Sequence, residues 1–186
     1  MSADHSSMSW EQAVQWLRQQ PEKAQLVIGC YYDDPLLAAA QRYWASAEWQ
    51  AARSLLAGRS GSALDVGAGR GIASYALARD GFFVTALEPN PSALVGAAAI
   101  RGMAADGGVT INVCEEFSER LPFESNSFDV VFARAVLHHT SDLKSACAEF
   151  LRVLKPGGLL FVGHAENFSE ARDLFTLRGK TIYERR

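Results

Sequence analysis

The chain has 186 residues, 48% of them hydrophobic and 21% charged, with no low-complexity tract, so it is long enough to bury a full core as one ordinary domain. Its net charge of -3 and sequence pI near 5.8 give no electrostatic footprint for a nucleic-acid backbone. The three cysteines, Cys30, Cys114 and Cys147, form no Cys-x-x-Cys pair, which argues against a disulfide framework or a metal site and leaves buried, reduced thiols as the expectation.

The opening residues Met1-Ser2-Ala3-Asp4-His5 lack a basic-then-apolar leader pattern, and no apolar run approaches the roughly 18 residues needed to span a bilayer. A soluble, cytoplasmic protein with neither nucleic-acid nor membrane partners is therefore expected.

The first third reads as helix, residues 1–58 forming an N-terminal helical segment. Ser9 with Gln12 makes a capping box ahead of Ala13, Val14, Trp16 and Leu17, and Pro21 ends that run. Leu26-Val27-Ile28 is a short apolar stretch. Asp33-Asp34-Pro35, an acidic cap with proline at the first helical position, predicts one helix from Leu36 to about Ala57, stopped by Gly58. Trp44, Trp49 and Leu56 supply its buried stripe.

From residue 59 to 165 short apolar strands alternate with helices. The strands are Ala63–Val66, Phe82–Leu87, Val109–Val113, Phe128–Ala133 and Leu159–Val162. Helices are predicted from Gly71 to Arg79, from the Asn90-Pro91 cap through Ile100, and from Asp142 to Leu154 before Lys155-Pro156-Gly157-Gly158. Apolar strands joined by helical crossovers make an α/β, doubly wound, mostly parallel Rossmann-like sheet.

The glycine-rich turn after the first strand lets the backbone approach a ligand and aims a helix N-terminus at it. Glu88 closes the second strand, 17 residues beyond Gly71, where its carboxylate can accept hydrogen bonds from both ribose hydroxyls of an adenosine-type cofactor. The spacing Gly67-x-Gly69-x-Gly71 departs from the G-x-G-x-x-G of dinucleotide sites, which weighs against a nucleotide-dependent oxidoreductase. Asp65, two residues before the first glycine, suits the ammonium of an aminocarboxylate. Arg134, directly after the fourth strand, stands at the carboxyl edge where open α/β sheets bind ligands, a position for contact with cofactor or substrate. His138 and His139 follow; they are the weak candidates for a catalytic base, the catalytic residue being otherwise unassigned. Tyr31 and Tyr32 precede the helix that starts near Leu36.

Leu64-Asp65-Val66-Gly67-Ala68-Gly69-Arg70-Gly71 resembles motif I of the class I S-adenosylmethionine-dependent methyltransferases. Leu121-Pro122-Phe123, Ser127-Phe128-Asp129-Val130-Val131 and Arg152-Val153-Leu154-Lys155-Pro156-Gly157-Gly158 are similar to later motifs of that family in the same order. The resemblance covers about residues 60–164 and is nearest the small-molecule enzymes of the ubiquinone-biosynthesis type. It implies S-adenosyl-L-methionine as cofactor and methyl transfer to a small-molecule acceptor. It places Gly67, Ala68, Gly69 and Gly71 along the methionine end, Glu88 on the ribose and Pro89 beside it. Phe117 stands where the family often has an aspartate that reads adenine, so backbone groups at Ser118 or Glu119, together with stacking, become the expected adenine contacts. No metal site is implied. The family's N-terminal helices commonly cover the active site, which would bring Tyr31 and Tyr32 over the cofactor or acceptor.

The class usually has seven strands, whereas only the 23 residues from His164 to Arg186 follow the fifth strand here. Two more strands and a helix do not fit that length comfortably. The sequence therefore predicts a chain lacking its C-terminal strands, with residues 166–186 as a tail and the fifth strand an exposed edge. The tail itself, or a homodimer or other partner chain, would cover that edge. An S-adenosylmethionine-binding module without independent turnover is the alternative to an active enzyme.

Overall fold

The computed structural model describes residues 8–163, 175–177 and 180–185. Helix α1 (Trp10–Arg18) starts where the Ser9–Gln12 capping box closes in both directions. Leu26-Val27-Ile28 lies inside a further helix, α2 (Ala24–Gly29). The single helix expected from Leu36 to Ala57 is two, α3 (Leu36–Ala45) and α4 (Ala47–Leu56). Ser46 breaks it: its backbone is extended (φ -72°, ψ 157°) and its hydroxyl accepts the Trp49 N–H, capping α4. Pro35 is the cap of α3 rather than its first residue.

The core then alternates β1 (Ser62–Val66), α5 (Ile72–Arg79), β2 (Phe83–Leu87), α6 (Ala97–Asp106), β3 (Ile111–Cys114), β4 (Phe128–Arg134), α7 (Leu143–Val153) and β5 (Leu154–Gly163). The sheet order is β3-β2-β1-β4-β5, with every pairing parallel. Asn90-Pro91 does not open a helix as expected. The Asn90 side chain accepts the Ser92 N–H, and the Ser92 hydroxyl accepts from Leu94 and Val95, so side-chain bonds hold a loop until α6 begins at Ala97.

Strand alternation distributes the core to two faces. Ala63, Val84, Val130, Phe132, Leu159 and Phe161 pack with Tyr43, Trp49, Tyr75 and Leu77 of the helices on one face. Leu64, Val66, Leu87, Val131, Leu160 and Val162 meet Ala146, Phe150 and Val153 of α7 on the other. The N-terminal helices thus share one core with the sheet. Their anchor is Asp80, at the end of α5, whose carboxylate accepts from the indoles of Trp44 and Trp49 and twice from Arg53.

Two short strands follow β5, correcting the expectation that they would be lacking: β6 (Phe175–Leu177) and β7 (Lys180–Arg185). The expectation allowed for two average strands and a further helix, whereas the two strands take three and six residues. β7 pairs parallel to β5 and antiparallel to β6, giving the order β3-β2-β1-β4-β5-β7-β6. The β5 edge is therefore covered from within the chain, while tail residues 166–174, 178–179 and 186 lie outside the described residues. All three cysteines are free, but none is buried as expected: Cys30 is exposed and Cys114 and Cys147 are half-buried.

Candidate functional site

The carboxyl ends of β1, β2 and β4 open on a cleft of about 410 Å³, at the point where the strand order reverses between β1 and β4. Gly67 and Gly69 form its floor, Glu88, Pro89 and Asn90 one side, and Glu116, Phe117 and Ser118 the rim. Only glycine suits position 67: φ is +62°, and an added Cβ would stand 2.1 Å from Val136 Cγ2. At Gly69 an added Cβ meets nothing within 4 Å, so this backbone faces open space. Gly71 has another task. It lines neither this cleft nor its side chamber; an added Cβ would meet Met103 and Ile100 at 3.0 to 3.1 Å, so it lets α5 pack against α6.

Glu88 is buried, with the Gly69 N–H on one carboxylate oxygen (2.7 Å) and the Asn90 N–H on the other (3.0 Å). Burial raises its pKa, partly offset by those two N–H groups. Each oxygen keeps a further acceptor site, so two ribose hydroxyls can be bound at once.

A side chamber of about 120 Å³ adjoins the cleft and shares Gly67, Gly69, Trp10, Tyr32, Val95 and Ala135 with it. Its remaining wall includes Asp65, Ala68, Arg70, Tyr31 and Arg134. Asp65 accepts the Ser74 hydroxyl at 2.5 Å. Burial drives its pKa up from 3.8 to about 7, against the pull of Ser74 and Arg134. A carboxylic acid whose folded pKa exceeds its unfolded value stabilises the fold fully below pH 4, and that contribution is lost as pH rises through 7. Asp65→Asn should therefore raise the melting temperature by about 5 °C at pH 8. It should change it little near pH 4, as thermal unfolding across that range will register.

Arg134 meets the chamber with its guanidinium already committed: Nε and Nη2 donate to Glu48, and the group lies over the rings of Tyr43 and Tyr31 at 5.2 and 5.8 Å. Glu119 lines the cleft, but its carboxylate accepts from the Ser141 N–H and hydroxyl, fixing the loop that leads into α7. Its side chain is structural; Ser118 beside it is buried at the rim. Of the two histidines, His139 lines the cleft and His138 is not on its wall. Burial, then the neighbouring His138, lowers the His139 pKa.

Sequence reasoning missed Trp10, Val136 and Thr140 as lining residues. Trp10 is the first residue of α1, and its ring meets Tyr32 edge-on at 5.7 Å and His139 at 6.4 Å. The Ser9 cap located the helix start, but no local signal says what that start faces. Of the paired tyrosines, Tyr32 lines cleft and side chamber alike, while Tyr31 lines only the chamber and packs edge-on against Tyr43.

Residues 64–162 match the family model described as a methyltransferase domain, a span that includes the glycine loop, Glu88 and β4. The chain belongs to this methyltransferase family. Among curated relatives, the chain is 45% identical over 58 residues to the chemotaxis protein methyltransferase of Escherichia coli, covering 30% of this chain and 20% of that one. It is 37% identical over 100 residues to the ubiquinone biosynthesis O-methyltransferase of Methylobacterium nodulans, covering 54% and 39%. The chain thus spans well under half the length of these relatives. A solved structure from Methanococcus maripaludis, proposed as an S-adenosyl-L-methionine-dependent methyltransferase, superposes with a TM-score of 0.55. At 22% identity, covering 76% of this chain and 62% of that one, it supports the fold alone.

Membership of a methyltransferase family implies S-adenosylmethionine as the cofactor, and the residues of this chain fit it. Glu88 would hold the ribose in the cleft. The chamber, with a carboxyl group in Asp65 and guanidinium groups in Arg70 and Arg134, matches the charges of an aminocarboxylate tail. Among the described residues no helix is long and apolar enough to cross a membrane, and no cluster of His, Cys, Asp and Glu could hold a metal ion.

Proposed function

We propose that this methyltransferase acts on a small-molecule acceptor, related to those of ubiquinone biosynthesis. The observation that carries the reading is the lining of the cleft beyond the ribose acid Glu88: it includes Glu116 and His139 and no lysine or arginine. Such a wall repels a nucleic-acid backbone and suits a small, weakly charged acceptor. The match to the Methylobacterium enzyme supports the same class.

When bound, S-adenosylmethionine supplies a methyl group already activated on a sulfonium sulfur. The chain then has chiefly to orient, align and exclude water. Glu88 fixes the ribose, Asp65 and Arg134 face the aminocarboxylate end, and Tyr32 with Trp10 screens the passage between cleft and chamber. His139, which lines the cleft and whose pKa burial lowers, would take the proton of a hydroxyl acceptor.

The test is transfer of labelled methyl from S-adenosylmethionine to a panel of phenols and hydroxyquinones, set beside a protein extract and RNA. Label should enter the organic-soluble phenols, and His139→Gln should slow that transfer by about a hundredfold. Label confined to protein or RNA would refute a small-molecule acceptor, and no label in any fraction would refute independent turnover.

A further inference from the structure

The segment Tyr31–Asp34 puts Tyr31 and Tyr32 on the wall of the side chamber, and three arginines from different parts of the chain hold it as a strap. Arg18 of α1 donates to the Tyr32 carbonyl at 2.5 Å and pairs with Asp34 at 2.8 Å. Arg42 of α3 pairs with Asp33 at 2.6 Å and reaches the Ile28 carbonyl at 3.1 Å. The third is Arg70, inside the glycine loop itself. It donates to the carbonyls of Tyr31 (2.8 Å) and Asp33 (3.0 Å) and to the Asp34 carboxylate (2.5 Å).

Arg70 is 6% exposed and lines the chamber. Among the described residues its Nε is the buried side-chain polar atom without a hydrogen-bond partner. A buried guanidinium N–H left unmade is costly, unless a ligand oxygen completes it. Tyr31 meanwhile sits in the left-handed backbone region (φ 60°), a conformation a bulky residue holds only when its surroundings impose it. The bonds to its carbonyl and the Arg42 guanidinium over its ring, at 5.3 Å, impose it here.

Resting on the reading of the cleft as an S-adenosylmethionine site, we infer that Arg70 is a positioning residue that bolts this strap to the glycine loop, so that Tyr31 closes over the aminocarboxylate tail of the cofactor, with Tyr32 at the boundary that chamber and cleft share. The assignment follows from the walls of the two cavities. Arg70 and Tyr31 line the chamber alone, whereas the ribose acid Glu88 lines the cleft alone. Releasing the strap opens the chamber and leaves the Glu88 side of the cleft in place. The loop that grips the cofactor and the cover that retains it are therefore one mechanical unit.

Two ligands separate the cavities: S-adenosylhomocysteine fills both, and 5′-methylthioadenosine lacks the aminocarboxylate. Their affinities for the native protein, Arg70→Met and Asp34→Asn are to be measured by calorimetry, with melting curves run alongside. Asp34 lines neither cavity and its side chain is 56% exposed, so its variant loosens the bolt from outside without emptying a buried position. Arg70→Met should weaken S-adenosylhomocysteine at least about tenfold and methylthioadenosine by less than about twofold, the loss appearing as faster dissociation. Asp34→Asn should shift the same ratio in the same direction by a smaller factor. Equal losses for the two ligands, or no change in either, would overturn the assignment, whatever the melting curves show. If the native protein fails to bind S-adenosylhomocysteine at all, the cofactor reading itself falls, and this inference with it.

Discussion

Glu88→Ala is expected to weaken S-adenosylhomocysteine binding about 10- to 100-fold, equivalent to roughly 1.5–3 kcal/mol for a charged acceptor and its donors. The carboxylate ends β2 with its oxygens already oriented by the Gly69 and Asn90 N–H groups. That orientation lowers the entropy lost when two ribose hydroxyls bind. Removing it also frees the Gly69 N–H, so the loop loses a brace as well as the ligand an acceptor. Glu88→Gln is the informative companion. It keeps the shape but offers one acceptor oxygen and an NH₂ facing an N–H donor, so it should bind nearly as poorly. Calorimetry at pH 7.5 decides it. An unchanged affinity in both variants would remove Glu88 from the site.

Asp80→Ala should produce the largest loss of stability, about 3–5 kcal/mol, because one carboxylate satisfies four donors between the N-terminal helices and the core. The Trp49 indole is fully buried, and its N–H at 2.9 Å from Asp80 would be left with no partner in the present packing. Arg53 would lose a two-pronged pair of 2.6 Å bonds. A drop of roughly 8–15 °C in melting temperature follows for a chain of this size. Burial alone would raise the Asp80 pKa, but the bonds from Arg53, Trp44 and Trp49 outweigh it and hold the value below 3.8. The stabilisation is thus present above the unfolded pKa and fades as pH falls through the lower folded value. The gap between native and variant should be constant from pH 5 to 8 and narrow only in stronger acid. A melting temperature within about 2 °C of native at pH 7 would show that the four bonds contribute little.

What the sequence disclosed was local. Asp65 to Gly71 and Glu88 could be placed because a strand end, a glycine turn and a helix start are neighbours along the chain, and each leaves a mark in residue type. The break at Ser46 was hidden by alanine-rich flanks whose helix propensity runs through it; a serine caps a helix only where the backbone already turns. The loop from Asn90 to Gly96 was misread as helix because Asn-Pro also reads as a start signal, while the bond from Ser92 that prolongs the loop leaves no periodic trace. Tyr32 was raised as a cover, but Arg70 bonds the strap from 36 to 39 positions away, and Arg18 and Arg42 bond it across 9 to 16, and such contacts have no local signature. Arg134 was legible as an edge residue, yet its partner Glu48 is 86 positions away, which is why its commitment to an ion pair was not foreseen.

The most direct test of this account is a crystal structure of the chain with S-adenosylhomocysteine. The account predicts both ribose hydroxyls on the Glu88 carboxylate, the purine between Phe117 and the floor of the cleft, and the aminocarboxylate in the chamber walled by Asp65, Arg70 and Arg134. A ligand bound elsewhere, or one seated in the cleft with Glu88 turned away from the ribose, would contradict it.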